Sequence, residues 1–465
     1  MTTAKLATRN GDLTVKDALS AETLMKIKHT LSLFLLAMLM SASASAQGKW
    51  MYDFIVPDDG TFRQAIHAAN TRKDKASRYR IFVKSGHYRM HTNPDDTIST
   101  VIDGKTVRFP SPIITLTAPN TSIIGEGAGH TQIENCPKYE GISITSTLFL
   151  KGADSTYIQD VELWSNFRND PNLFANRAVA LNEKQCKGNA LKNVSLLSTQ
   201  DTYYTNDGGT TYLEDCAIAG TVDFICGGGT VFFNRCELRL VPRGDSGKRD
   251  IIAAPATGVG QKYGYVFNDC QVRGAEFQDG KYLLARPWKN EPKAVFINTL
   301  MLLQPNPEGW GEMHGTIPSL FAEYSSMDRW YGLVDLTKRK TEFKDKAGET
   351  VKVAYKGELT DEDMDDYSIE KVFDGWEAHE VTRQITPPEL TIKGRTITWE
   401  DIAEAGCYAV YRDRKLVKLT THPTYAIPKG TYEGACYSVR CANQRGGLGE
   451  PSAEVVYSRY STPKL

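Results

Sequence analysis

The segment Leu213-Glu-Asp-Cys216-Ala-Ile218 decides the fold, because five other short segments repeat its pattern. In each segment, an apolar residue precedes two mainly polar residues, an anchor residue (Val, Cys or Leu), a variable residue and a second apolar residue. The anchors lie at positions 161, 194, 216, 236, 270 and 300, so they are separated by 33, 22, 20, 34 and 30 residues. The other five segments span residues 157–163, 191–196, 233–238, 267–272 and 297–302.

Irregular strand repeats of this length, joined by turns rich in Gly and Asn, predict an all-β chain built as a right-handed parallel β-helix. Each coil of such a solenoid buries its apolar residues by stacking on the next coil. Cys216, Cys236 and Cys270 would then form an internal ladder of free thiols, since equivalent residues ~4.8 Å apart pack without bonding. The extra length of the longer repeats must form loops, which can build a cleft. A β-sandwich is the alternative, but the recurring register favours the solenoid.

Two aspartates occupy equivalent positions in consecutive coils. Asp201 lies seven residues after Val194, and Asp223 lies seven residues after Cys216. In a parallel stack their backbones would be ~4.8 Å apart. Two carboxylates this close do not ionise together, so the pKa of one rises while that of the other stays low, as a nucleophile and a general acid/base require. The register alone leaves open a pair of exposed turn aspartates.

Three blocks around this pair resemble signatures of the pectin methylesterase (pectinesterase) family. They are QDTYY at residues 200–204, GTVDFICG at 220–227 and LARPW at 284–288. The resemblance covers about residues 50 to 335. It implies a β-helix enzyme that hydrolyses galacturonate methyl esters in methyl-esterified homogalacturonan (pectin), releasing methanol and leaving pectate. It implies no cofactor and no metal.

The resemblance also assigns a role to each matching residue. Asp223 would be the nucleophile, held by Arg286. Asp201 would be the acid/base that protonates the departing methanol and then activates water. Gln200 would donate to the developing oxyanion. Contacts with the substrate are expected from three aromatic residues, Trp288, Tyr203 and Phe224.

Arg177 departs from the family pattern, because it stands where the family has a glutamine that donates to the oxyanion. A guanidinium group could stabilise the oxyanion, clamp a neighbouring carboxylate or intrude on the site. Cys226 and Ala285 replace a Phe and a Gly of the pattern. Two other functions therefore stay open: a non-catalytic pectin-binding solenoid, and another pectin-degrading β-helix enzyme such as a lyase.

The N-terminal residues 1–46 are interpreted as an extension followed by a signal peptide cleaved after Ala46. A basic segment at 25–29 precedes an apolar run at 31–40 and the small residues Ala44-Ser45-Ala46. We expect export to the periplasm or the medium without a stable membrane anchor. With 55 Lys and Arg against 56 Asp and Glu, the chain lacks the basic excess typical of nucleic-acid binding. We expect a monomer.

The rest of the chain is divided into three parts. Residues 47–340 form the expected β-helix, and 341–385 an extension and linker. Residues 386–465 predict a small β-sandwich, which resembles a fibronectin type III module through Trp399, Tyr408 and Tyr437 and would act as a spacer or docking module. The acidic stretch 361–366 is interpreted as a solvated helix start, because it lacks the spacing of an EF-hand calcium loop.

Overall fold

The computed structural model describes residues 48–102, 104–167, 175–206, 208–243 and 249–459. The predicted signal peptide lies outside these ranges. Among the described residues, no helix has the length and apolar character needed to span a bilayer.

Three parallel sheets form a β-helix, in which successive coils contribute successive strands to each sheet. This confirms the predicted fold class. Sheet A contains, in spatial order, Phe54–Val56, Tyr79–Val83, Thr121–Ile124, Tyr157–Gln159, Asn189–Lys192, Thr210–Glu214, Thr230–Asn234, Tyr265–Asn268, Lys293–Ile297 and Leu320–Tyr324. Sheet B contains Gly86–Arg89, Thr131–Asn135, Glu162–Ser165, Ser195–Leu197, Ala217–Gly220, Glu237–Leu240, Gln271–Arg273, Leu300–Met301 and Met327–Asp328. Sheet C contains Ile114–Leu116, Leu148–Lys151, Leu181–Lys184, Tyr203–Asn206, Val222–Gly227, Ile251–Pro255 and Leu283–Ala285.

The register of the strands agrees with the sequence repeat in all but the last segment. Cys216, Cys236 and Cys270 are buried free thiols in the interior, as predicted. The final anchor, however, is Thr299 rather than Leu300, because Gln271 pairs with Leu300. Apolar residues occupy both the odd and the even positions of this segment, so the sequence pattern alone does not determine its register.

The first coil is covered by the helix Phe62–Thr71. The helix is capped by Thr61, whose side chain accepts a hydrogen bond from the Gln64 backbone N–H, while the Gln64 side-chain oxygen accepts one from the Thr61 backbone N–H, forming a capping box. Its buried face packs onto the solenoid core through Phe62, Ala65, Ile66 and Ala69. A hairpin of Asn93–Ile102 and Lys105–Ser111 projects from the following turn.

The predicted extension and linker covers two parts of the solenoid: its hairpin joins the main core through Phe343, and its helices pack on the outer face of sheet A. It contains the hairpin Glu342–Lys344 and Thr350–Lys352, the helices Asp361–Met364, Ile369–Val372 and Ala378–Thr382, and a 3₁₀ turn at Asp365–Tyr367. A second 3₁₀ turn, Glu276–Gln278, lies within the solenoid. Val372 and Phe373 pack against Phe232 and Val266 of sheet A. The acidic stretch does begin a helix, since Asp361 is its first residue.

The C-terminal region forms two antiparallel sheets around one apolar core. One sheet contains Thr391–Lys393, Thr396–Thr398 and Thr424–Ala426; the other contains Lys415–Thr420, Cys407–Arg412, Cys436–Ala442 and Val455–Val456. This sandwich packs directly on the first coils of sheet A, where Ala409, Tyr411 and Leu448 contact Tyr52 and Phe82. It is therefore docked on the solenoid and does not hang from a free linker.

Candidate active site

A cleft of about 490 Å³ lies on the outer face of sheet C. Asp201 and Asp223 come from consecutive coils, and Arg286 joins them from the second coil after that of Asp223. Asp201 lies just before the strand Tyr203–Asn206, Asp223 within Val222–Gly227, and Arg286 just after Leu283–Ala285. The long turns between sheets B and C supply further lining residues, including Ala175 and Arg177. The extra length of the repeats thus builds the wall of the cleft.

The two aspartates are direct neighbours in the stack. Tyr203 pairs with Ile225, which places Asp201 opposite Asp223 one strand away. The backbone N–H of Asp201 donates to the carbonyl of Val222 at 3.3 Å. Both aspartates adopt the left-handed conformation, with φ of 64° and 51°. Aspartate tolerates this conformation better than most residues, and it aims the side chain in a direction that regular strand geometry would not.

The carboxylates of the pair have different surroundings. Arg286 binds Asp223 with both ends of its guanidinium group, at 2.8 Å from Nε to Oδ1 and 2.5 Å from Nη2 to Oδ2. Burial raises the pKa of Asp223, but the hydrogen bonds and charge of Arg286, and the charge of His314, oppose this rise. Burial raises the pKa of Asp201 well above its ordinary value, and the charge of Asp223 raises it further. Asp223 is therefore favoured as the carboxylate and Asp201 as the carboxylic acid.

Gln200 and Arg177 stand side by side at the edge of the cleft. They form a parallel bridge in which the Ala178 N–H donates to the Gln200 carbonyl at 2.8 Å. Arg177 Nη2 donates to Glu140 Oε1 at 3.0 Å, and the Arg177 backbone N–H donates to Glu140 Oε2 at 3.1 Å. The charge of Arg177 lowers the pKa of Asp201. Both residues line the cleft.

The structure corrects two of the three predicted substrate contacts. Tyr203 and Phe224 are completely buried in the solenoid core; each follows an aspartate in the left-handed conformation, which interrupts the regular alternation of side chains along the strand. Tyr204 is the residue that faces outward, with its ring centroid 6.1 Å from that of Trp288. Trp288 itself lines the cleft. The sequence Tyr203-Tyr-Thr-Asn206 has no alternation of apolar residues that would have distinguished Tyr204 from Tyr203.

Several other residues of the cleft were not identified from the sequence as site residues. Cys226 lies beside Asp201 and hydrogen-bonds to it, so this substitution in the family pattern adds a weak donor to the site. The residues Glu312, Met313 and His314 come from the last coil, and Glu140 comes from a turn before the strand Leu148–Lys151. Their participation depends on the paths of loops, for which the repeat pattern carries no signal.

Comparison with known proteins identifies the family. A sequence profile described as "Pectinesterase" matches residues 53–330. This chain belongs to the pectinesterase family. Among curated relatives, the tomato (Solanum lycopersicum) pectinesterase/pectinesterase inhibitor U1 is 27% identical over 291 residues, which cover 59% of this chain and 45% of the relative. The pectinesterase chain described here spans about half the length of the curated relatives it matches.

Solved structures of pectin methylesterases share the fold of this pectinesterase. The carrot enzyme is 20% identical and aligns with a TM-score of 0.55, covering 73% of this chain and 99% of its own. A pectin methylesterase in complex with a hexasaccharide is 23% identical, with a TM-score of 0.53 and coverage of 71% and 99%. At these identities the comparisons establish the parallel β-helix and not the roles of individual residues.

Proposed function

We propose that this pectinesterase hydrolyses galacturonate methyl esters in pectin through an acyl-enzyme formed on Asp223. One observation carries the proposal. Two nearly buried aspartates are neighbours in consecutive coils, and the guanidinium group of Arg286 holds only Asp223 by a two-pronged ion pair among the described residues. This asymmetry provides a nucleophile and a proton donor within one cleft.

In the first half of the reaction, a carboxylate oxygen of Asp223 attacks the carbonyl carbon of the ester. The carbonyl electrons move to the oxygen, forming a tetrahedral intermediate. When this intermediate collapses, the bond to the methoxy oxygen breaks and the proton of Asp201 passes to that oxygen. Methanol leaves, and the galacturonyl group remains attached to Asp223 as an anhydride.

In the second half, Asp201 acts as a base. It takes a proton from water as the water oxygen attacks the acyl carbon. Collapse of the second tetrahedral intermediate breaks the bond to Asp223, which leaves as a carboxylate. The product is a free galacturonate carboxyl group, and Asp201 is again protonated for the next cycle.

The oxyanion of both intermediates needs donors at the edge of the cleft. The side-chain amide of Gln200 is one candidate, and Arg177 is the other. Arg177 Nε is buried, lines the cleft and has no hydrogen-bond partner among the residues that the structure describes. A buried hydrogen-bond donor without a partner raises the free energy of the folded protein. An oxyanion that develops nearby would accept a hydrogen bond from this donor and would therefore be stabilised.

Pectin is the proposed substrate because three observations agree. The curated relatives are named as pectinesterases, and a structural neighbour holds a hexasaccharide. Trp288 and Tyr204 present neighbouring aromatic rings at the cleft, and such faces suit the apolar side of a sugar ring.

The test is to incubate residues 47–465 with highly methylated pectin and measure methanol together with chain length. We expect methanol without chain shortening, and loss of methanol release in Asp223→Asn and Asp201→Asn. Asp269→Asn is the matched control, since Asp269 also has a positive φ of 52° but lies in an exposed turn outside the cleft. Its activity should equal that of the wild type.

Other outcomes would identify the alternatives. Unsaturated fragments would indicate a lyase, and binding of pectin without any product would indicate a non-catalytic solenoid. Full activity of Asp223→Asn would refute the assignment of the nucleophile.

We also propose that the protein is exported as a monomer, with residues 386–465 as a fibronectin type III-like module. Seven strands in sheets of three and four around one core support the second assignment. Sequencing of the exported protein should give Gln47 as the first residue, and light scattering should give the mass of one chain.

A further inference from the structure

Two arginines and three carboxylates meet around the cleft, and their pairing is selective. Arg286 pairs with Asp223, whereas Arg177 pairs with Glu140. Asp201 lies within the electrostatic reach of both arginines, yet neither forms an ion pair with it among the described residues. The other close polar neighbour of Asp201 is Cys226.

We infer that Glu140 is a positioning residue that holds Arg177 away from Asp201. This inference rests on the proposed function, in which Asp201 must carry a proton during the first half of the reaction. Glu140 binds Arg177 at both the backbone N–H and Nη2, which fixes the start and the end of the side chain. The Glu140 side chain is only 20% exposed, so its carboxylate is itself held in place.

Without Glu140, Arg177 would lose its carboxylate partner and could turn to Asp201, which lines the same cleft and whose pKa the charge of Arg177 already lowers. A guanidinium group paired with Asp201 would stabilise its ionised form, as Arg286 does for Asp223. Both aspartates would then be carboxylates, and neither could protonate the leaving methoxy oxygen. Glu140 thus maintains the difference between the two members of the catalytic pair.

Glu140→Gln tests this inference, because it preserves the shape of the side chain and removes its charge. We expect the alkaline limb of the kcat profile to move down by about one pH unit, as Asp201 loses its proton more readily beside Arg177. At the pH of the wild-type alkaline midpoint, kcat should fall about fivefold, and KM should change little. In an Arg177→Gln background, the same substitution should leave the profile unchanged.

Glu312→Gln is the matched control. It removes a carboxylate from the same cleft, but Glu312 pairs with Lys340, at 2.9 Å, and not with Arg177. Its effect should therefore be the same in the wild-type and Arg177→Gln backgrounds. The inference is wrong if Glu140→Gln shifts the pH profile of kcat equally in the wild-type and Arg177→Gln backgrounds. It is also wrong if Glu140→Gln does not shift that profile in the wild-type background.

A crystal structure of Glu140→Gln gives a readout that does not depend on activity. We expect the Arg177 guanidinium group within hydrogen-bond distance of Asp201. An unchanged Arg177 side chain would overturn the inference even if the enzyme releases methanol. Conversely, a chain without esterase activity refutes the proposed function, while the crystal structure still decides the contact between Glu140 and Arg177.

Discussion

Arg286 binds both carboxylate oxygens of Asp223 from the neighbouring part of the stack, 63 residues away in the sequence. A lysine can supply the charge of Arg286 but not its planar pair of donors. We therefore expect Arg286→Lys to lower kcat at least about 100-fold, because Asp223 would be misoriented and less fully ionised. Methanol release at saturating pectin measures the effect. Arg329→Lys, which alters an ion pair with Asp279 outside the cleft, should retain full activity.

Ionised Asp201 destabilises the folded protein, because burial raises the pKa of its carboxyl group above the value in the unfolded chain. The folded protein therefore binds this proton more tightly, and stability is lost as the pH rises from about 4 through the raised pKa. Asp201→Asn should be more stable than the wild type at pH 7 by about 1–2 kcal/mol, while lacking activity. Urea denaturation at pH 4 and pH 7 tests this, since the gain should be smaller at the lower pH.

Tyr203 and Tyr204 are adjacent but face opposite sides of sheet C. Tyr204→Ala should raise KM for pectin several-fold with little loss of stability, because it removes an aromatic face beside Trp288. Tyr203→Ala should instead cost about 3–5 kcal/mol, the usual penalty for deleting a large core side chain. Steady-state kinetics and urea denaturation separate the two effects. Equal losses of stability in both variants would contradict the assignment of faces.

Glu183 is a titratable group in the interior of the solenoid. Burial raises its pKa to about 7 from 4.5, although contacts with Thr211, Asn189 and Tyr203 oppose the rise. Its contribution to stability is present at low pH and declines between about pH 4.5 and pH 7, by an amount on the order of 3 kcal/mol. Glu183→Gln should lack this decline, so the difference between the variant and the wild type should grow over that range. A constant difference would contradict the raised pKa.

The C-terminal sandwich covers an apolar face of the solenoid. Deleting residues 386–465 would expose Tyr52, Phe82 and Tyr157, so we expect a protein that aggregates or binds hydrophobic dyes. Gly447→Ala gives a milder change, because a Cβ there would lie 2.1 Å from Gln159 Oε1 and would disturb the docking without removing the module. It should lower the urea midpoint while leaving the fold of both parts intact. A soluble, fully stable deletion variant would show that the sandwich is dispensable.

The sequence predicted those features that depend on local repetition. The segments around Cys216 and Cys236 identify the coils, and the common register places Asp201 beside Asp223 before any relative is considered. It did not predict Glu140, because the turn that carries this residue has no counterpart in the repeat. Nor did it predict that the helices between residues 361 and 382 lie over sheet A, since their apolar residues are few and spaced irregularly.

The choice of Tyr203 and Phe224 as substrate contacts was wrong for a different reason. Phe224 directly follows Asp223 and Tyr203 lies two residues after Asp201, but the left-handed conformation of both aspartates interrupts the regular alternation of side chains. Proximity in sequence to these aspartates therefore does not indicate which face of the sheet a side chain occupies.

The docking of the C-terminal sandwich has a consequence for the order in which the protein matures. The carbonyl of Gln444 accepts hydrogen bonds from Arg80, 364 residues earlier in the chain. During synthesis or vectorial export, the first coil therefore emerges long before the residues that shield it. Until residues 386–465 have been synthesised, the nascent protein exposes an apolar surface, which is a target for chaperones and proteases. Docking of the C-terminal sandwich, rather than formation of the cleft, is therefore the step that protects the apolar surface of the solenoid.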